Sequence, residues 1–416
     1  MPRCRGRAEG KEHAHTHVAN LMTREPVSAR PIGLTAGRGG SLIRKIELGV
    51  VVVAITATIG VLTFAAGTFL EAAAEAIEPT AQLQDQGGQP PPPVQPPPPE
   101  PPVAEDPEPE PEPEPLVCLG GRRPDKVRLK RPAVAVKVEN APVAWPPSGL
   151  EKAEIVYEEL VEGGVTRFMA IYHCSDAPKV GPVRSARVVD PAIMKPYTRI
   201  LGAAGANAIV QRALDKARVI SINEEQAGSA MRRVYRPGLA SEHTLYGSTK
   251  ALRKIGRARF DKPPPQGIFS YGPLKSKAKK IRSVTMSFGD ITQVVYRWID
   301  GKWRRFEDGA PFVAEGGRQI AVDNVLIERH RINYSKGVVD VAGTPSTEIA
   351  DTTGSGAAFL LRDHRLIRGK WVRKSVKKPA VFKTHKGKEM VLGRGKTWIE
   401  LLPTGKGQAK GTVSFG

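Results

Sequence analysis

"EIVYEELVEGGVTRFMAIYH", residues 154–173, is the stretch on which the fold class turns. Two runs rich in β-branched and aromatic residues flank Gly163-Gly164, which predicts two strands joined as a hairpin at the glycine pair. Side chains alternate along a strand, so Glu158 and Glu162 are expected beside Val156 and Leu160. Glu159 is expected on the opposite face with Tyr157 and Val161. Neither face is purely polar, so the three carboxylates do not form one solvated stripe. Arg167 falls on the return strand.

Upstream, "AVAVKVE" (133–139) alternates as a strand ending near Asn140, and "PPSGLEKA" offers Ser148 as a helix N-cap. Downstream, "VRSARVVDPAIMKPY" predicts a helix opening near Pro182 or Arg184, and "LGAAGANAIVQRALDKA" a strand end, a glycine turn and a helix from about Asn207. Beyond the turn "DKPPPQG" (261–267) the chain becomes a series of alternating apolar runs divided by turns. "IDGK" (299–302) is a strong hairpin signal and "LRDHRL" a weaker one. "TGSGAAF" (353–359) lacks the lysine and the strand–loop–helix setting of a phosphate loop and reads as a turn. The expected fold is an α/β N-terminal domain over 116–275 followed by a β-rich antiparallel C-terminal domain over 276–416.

The N-terminal part differs in kind. Residues 48–70 contain no charge over 23 positions, roughly 34 Å as a helix, enough to cross a bilayer core. Nine Lys/Arg lie in residues 1–47 and eleven Asp/Glu, with no Lys/Arg, in 71–115. The positive-inside rule therefore places a disordered basic tail (1–46) in the cytoplasm and everything after the transmembrane helix (47–70) outside. A cleaved signal peptide is the competing reading; the length of the apolar run and of its leader favours an uncleaved anchor. Residues 71–115 form an acidic Pro-rich linker. Its polyproline portion, "QPPPPVQPPPPEPPVAEDPEPEPEPEP" (89–115), reaches about 80 Å when extended and reads as a spacer rather than a ligand for an SH3-type groove.

The remaining 116–416 carry 54 Lys/Arg against 27 Asp/Glu, a difference of +27, so this head should attract polyanions. Three cysteines are too few for a disulfide scaffold or a Cys4 metal site. Cys118 and Cys174 both fall outside the membrane by the topology above, where an oxidising compartment favours a bridge over two free buried thiols. H-E-x-x-H, G-x-x-x-x-G-K-[ST], G-x-S-x-G and G-x-G-x-x-G are all absent. No metal set is complete and no cofactor is expected. The candidates for ligand binding are Asn140, Glu158, Glu159, Glu162, Arg167, Arg184, Ser185, Arg187 and His243. If helical, Arg184 and Arg187 share a face at i, i+3 and suit a phosphate or carboxylate. His243, in "SEHTLYGS", could titrate near neutral pH. A structural Arg–Glu network stands as the alternative to a ligand site.

"RPAVAVKVENAPVAWPPSGLEKAEIVYEELVEGGVTRFMAIYH…KVGPVRSAR" closely resembles the YerB-like family of bacterial envelope proteins, the DUF3048 group. "SEHTLYGS" is similar to that family's Pro-His-Asn-Leu-Tyr segment, with Glu242 in place of Pro and Thr244 in place of Asn. "GSGAAFLLRDHRLIRGKWVR" and "GKTWIELLP" resemble its C-terminal β domain. The resemblance spans about residues 120–416. It implies an α/β domain followed by a smaller β-rich one, displayed outside the cytoplasmic membrane, and carries over no catalytic residue. Family members are often lipoproteins. Here no cysteine closely follows the apolar segment, so the uncleaved helix stands in for a lipid anchor.

The leading expectation is a single-pass, envelope-tethered binding protein whose basic head engages an anionic wall polymer or an envelope protein. The rival is a hydrolase or transferase acting on an envelope glycan or phosphorylated polymer through Glu158/Glu162, His243 and the Arg184/Arg187 pair. Nucleic-acid binding fits the charge but lacks clustered aromatics for stacking.

Overall fold

A computed structural model describes residues 116–124, 126–274, 277–340 and 343–416. The predicted cytoplasmic tail, transmembrane helix and linker lie outside the described residues. Among the described residues, no helix is long and apolar enough to cross a membrane.

The hairpin read from residues 154–173 forms the middle of the main sheet. Strand β1 (Val134–Glu139) pairs antiparallel with β3 (Thr166–Tyr172), which pairs antiparallel with β2 (Ile155–Leu160). All three are buried on both faces. On one side, β4 (Ile200–Gly202) and β5 (Ile220–Ile222) extend the sheet in parallel from β1.

A smaller sheet is built from β6 (Ser283–Ser287), β7 (Gln293–Ile299), β8 (Lys302–Glu307) and a late strand, with two short strands beside β8. The main sheet then resumes with β9 (Asn324–His330), β10 (Gly354–Arg362), β11 (Arg365–Arg373), β12 (Val381–Thr384) and β13 (Thr397–Pro403). Its order is β12-β11-β10-β9-β13-β2-β3-β1-β4-β5, with Lys279–Lys280 pairing β11. The late strand of the small sheet, β14 (Thr412–Phe415), pairs with β6.

The two sequence halves therefore share one 11-stranded sheet. The C-terminal half is β-rich as expected, but not wholly antiparallel. Strand β13 runs parallel to both β9 and β2, and this joins the halves. Its sequence, TWIELLP, is buried at every position, as a strand inserted between two neighbours under covered faces must be. One face of the main sheet packs against the small sheet and against helix α3 (Thr249–Arg257); the other carries α1 (Asp190–Met194) and α2 (Ala208–Lys216).

Local signals hold where chemistry is short-range. Asn207 caps α2, accepting from the Val210 N–H at 2.9 Å. Asp300-Gly301 and Asp363-His364 all take positive φ, the conformation that two-residue hairpins require. Three expectations fail. Residues 180–184 are extended rather than helical, because their backbone is claimed by sheet ends: Val183 N donates to Leu245 O and Arg184 N to Lys137 O. Ser148 caps no helix. The short 3-10 turn Leu150–Lys152 starts from left-handed Gly149, and the Ser148 hydroxyl donates to Glu315 at 2.6 Å. "TGSGAAF" is largely strand rather than turn, since β10 starts at Gly354.

Cys118 and Cys174 form the expected disulfide, 56 residues apart in sequence. Loop closure of that length is worth about 4 kcal/mol in the chain-entropy account. Cys118→Ser with Cys174→Ser should therefore lower the urea midpoint without changing the far-UV circular dichroism. An unchanged midpoint would exclude a stabilising role for the bridge.

Candidate functional site

The alternation of β2 sends consecutive glutamates to opposite faces of the main sheet. Glu158 faces the small sheet, where Arg305 of β8 meets it in a bidentate pair at 2.6 and 2.9 Å, both side chains fully buried. Arg305 also pairs with Glu307 at 2.5 Å and lies 3.8 Å from Glu400. Glu400 is the β13 neighbour of Glu158 in register and accepts from the Tyr296 hydroxyl at 2.7 Å. Asn140 closes the cluster: its amide donates to Glu307 and Thr166, and its carbonyl accepts from the Trp145 indole. Phe312, Trp398 and Phe168 ring the guanidinium at 4.9, 5.0 and 5.4 Å, positions suited to cation–π attraction.

One guanidinium thus faces three carboxylates, and the surplus negative charge is resolved by protons. Burial, reinforced by Glu158, pushes Glu307 up to about 7 despite Arg305, and drives Glu400 well above the carboxylate range.

Glu159 faces the other way, onto the helical side. Lys137 reaches both Glu159 and Asp190, the latter at 2.7 Å, and Asp190 accepts the Arg187 backbone N–H at 2.6 Å. Burial and the Asp190 charge raise Glu159 to about 7 against the pull of Lys137. Beside this pair, Arg187 binds Glu162 through Nε at 3.1 Å and through Nη2, and Ser346 donates to the second Glu162 oxygen. Burial would raise Glu162, but Arg187 and Ser346 hold it below the usual range. Arg167 stands 3.8 Å from Glu162; burial next to Arg187 brings it down to about 10. The Ser185 carbonyl accepts from Arg167 and Arg187. At the outer end, Glu139 holds Arg184 at 3.1 Å and His243 Nδ1 at 2.8 Å.

The extended 180–187 segment therefore lies across the ends of β1–β3. Seven of the nine candidates, Glu159, Glu162, Arg167, Arg184, Ser185, Arg187 and His243, gather on this face. Lys137, Arg167, Arg184 and Arg187 oppose Glu139, Glu159, Glu162 and Asp190, so the cluster is balanced four against four. Asn140 and Glu158 sit on the opposite face with Arg305.

Two expectations are corrected. Arg184 and Arg187 are not on one helical face. Glu158 and Glu162 do not share a strand face, because β2 ends at Leu160 and the chain turns through left-handed Gly163 before alternation can continue. The acid/base set of Glu158 or Glu162 with His243 is therefore not assembled: the partner of His243 is Glu139. Lys137, Glu139, Asp190, Arg305, Glu307 and Glu400 were missed. For Lys137, Glu139 and Glu400 the signal was a charge inside an otherwise apolar run, as in AVAVKVE and TWIELLP; Arg305 and Glu307, in the charged run KWRRFED, offered none.

Cys118, His173 and Cys174 lie close enough for a metal, but the bridge consumes both sulfur ligands and leaves His173 as a single donor, its imidazole kept neutral by burial, down to about 4.

The more open basic surface lies elsewhere. A cavity of about 360 Å³ beside the disulfide is lined by Arg122, Arg123, Arg128, Lys152 and Lys396, with Glu154 as the one carboxylate among its described lining residues. A second, of about 470 Å³, is lined by Lys250, Lys254 and Arg257 of α3 with Arg131 and Arg253. Residues 173–176 stand between them: Cys174 and Ser175 line the first cavity, while Arg131 holds His173 O at 2.7 Å and pairs with Asp176. Arg253 pairs with Asp176 too. Arg122, Arg123, Lys152, Lys250 and Lys254 form no ion pair with a described carboxylate, so this track has charge to offer a ligand.

Residues 119–261 match the model described as "Protein of unknown function (DUF3048) N-terminal domain", and residues 283–399 match its C-terminal counterpart. The chain is 28% identical over 314 residues to the protein named "Putative lipoprotein YerB" of Bacillus subtilis (strain 168), covering 68% of this chain and 85% of that one. The crystal structure of YerB protein from Bacillus subtilis superposes with a TM-score of 0.58 at 26% identity, over 71% of this chain and 98% of that chain. The match takes in nearly the whole of that solved chain, so a body of this extent folds there without a further domain.

Replacing Arg305 by Met should cost about 3–5 kcal/mol in urea unfolding, because Glu158 is left buried and unpaired. A loss below 1 kcal/mol would sink the clasp. Raised carboxyls such as Glu307 stabilise the fold fully below the unfolded value near 4.5, and that contribution is lost as pH rises through about 7. Glu307→Gln should flatten the fall in stability between pH 5 and 7.5; an unaltered slope counts against a protonated Glu307.

Proposed function

We propose, from the premise that the chain belongs to the DUF3048 family, that it is a membrane-anchored extracytoplasmic protein whose basic head binds an anionic polymer of the cell envelope. The observation that carries this reading is the pair of basic cavities on either side of residues 173–176. Their unpaired cations are spaced along a track rather than focused on one point, which suits repeated anionic groups better than a single small anion. The lipoprotein name of the Bacillus subtilis relative supports an envelope location. The apolar segment 48–70 and the acidic linker supply, in sequence terms, an anchor and a spacer.

No reaction is assigned. The internal Arg–Glu clusters have their groups turned on one another: Glu158 is held by Arg305 on the opposite face, and on the near face Glu162 is held by Arg187 while His243 is held by Glu139. The balanced cluster around Arg187 acts in this reading as the frame that fixes the head.

Binding of a poly(glycerol phosphate) chain to the unit Val103–Gly416 should weaken by roughly three hundredfold between 50 and 200 mM salt if about six phosphates are neutralised at the single-strand slope. Lys152→Gln, Lys250→Gln and Lys254→Gln together should weaken binding at least tenfold and lower the salt slope by roughly two. Absence of binding, or an unaffected triple variant, would overturn the assignment. So would equal affinity for single-stranded DNA of the same charge, which would reduce the track to unspecific attraction.

A further inference from the structure

A third cavity, of about 430 Å³, shares no residue with the basic track. Its walls come from α1, from the last turn of α2, from residues 348–352 and from Val376. Val188, Val189, Ala192, Ala213, Ala217 and Ile349 make most of its lining apolar. The volume lies within the range of small-molecule sites, roughly 300–1,000 Å³.

Its rim is cationic. Lys195 and Lys216 line it directly. Partial burial, then Lys377, Arg199 and Arg218, lower the Lys195 ammonium from its ordinary value, so these charges stand close enough to repel it. None of the five forms an ion pair with a described carboxylate. Glu348 is the one carboxylate in the lining. Arg199 spends its Nε on the Arg218 carbonyl and lies over the Phe260 ring, which fixes its place in the cluster. Like charges held together without counter-charge cost energy that a bound anion relieves.

We infer that this cavity binds an anionic amphiphile, a lipid whose head is a single phosphate, with the head at the Lys195–Lys216 rim and the tail over Val189, Ala192 and Ile349. A dianionic phosphate matches the two rim lysines, set against the single carboxylate of Glu348, better than a monoanionic carboxylate does. The apolar lining explains why a free inorganic ion would not fill the site.

Calorimetric titration of the unit Val103–Gly416 with decyl phosphate, below its micelle concentration, should show one saturable site. Inorganic phosphate, decyltrimethylammonium and decyl maltoside should each bind at least tenfold more weakly. Lys195→Gln with Lys216→Gln should weaken decyl phosphate at least tenfold, and Ala213→Phe should do the same by filling the cavity. The triple lysine variant of the basic track should bind decyl phosphate unchanged, which separates this site from the polymer track. Equal binding of inorganic phosphate or of the cationic analogue would overturn the inference. So would retention of affinity in the lysine pair, a surface variant that decides the matter even if Ala213→Phe fails to fold.

Discussion

Arg305 is the constraint around which the head is organised. It projects from the small sheet into the main one and meets Glu158 with no solvent contact on either side. An unpaired charge there would be untenable, so the two sheets can pack only in the arrangement that brings these groups together. Aromatic rings around the guanidinium exclude water, which strengthens the pairing and raises the cost of losing it. The neighbouring carboxylates follow from the same geometry. Glu400 is next to Glu158 because β13 is parallel to β2, and Glu307 is two residues beyond Arg305 on the same strand face. A single cation cannot neutralise three carboxylates, so protons complete the balance.

The opposite face answers a similar problem with more cations, although burial raises Glu159 to about 7 there as well. There four cations meet four carboxylates, and the 180–187 segment supplies two of the cations from extended backbone laid over the strand ends. Because Arg187 turns inward onto Glu162 while Arg184 reaches Glu139 at the lip, the segment is held along its length. Both faces of the hairpin thus carry ionic clusters, and the free cations remain on the edges of the head. Binding capacity follows from that division: charges locked inside define shape, and charges left unpaired outside define what the head attracts.

Much of the fold was legible from local chemistry. The β1–β3 core, the Asn207 cap, the two tight hairpins and the disulfide each rest on residues close together in sequence or on compartment, and each is found. The helix expected at Arg184 is not. Its propensity was overridden by backbone hydrogen bonds to Lys137 and Leu245, partners far away in the chain. Ser148 was likewise taken from its expected cap by Glu315, 167 residues distant. The candidate residues lie in two ionic clusters on opposite faces of the sheet, and that grouping was not available from the sequence. Parity along β2 assigned Glu158 and Glu159 to opposite faces, while the turn at Gly163 decided where Glu162 would go.

The sequence by itself determined the apolar segment, the acidic linker, the basic head and the hairpin that begins its sheet, because each depends on composition or on neighbours a few residues apart. Only the tertiary structure decided that β13 enters between β2 and β9, and with it the meeting of Glu158, Glu400 and Arg305. It likewise decided that the arginines of "GPVRSAR" would hold Glu139 and Glu162 rather than face an open cleft. The physical reason is range. Strand propensity and capping are settled within one turn or one pleat, whereas a buried charge takes its partner from whichever distant strand the packing of both faces brings alongside.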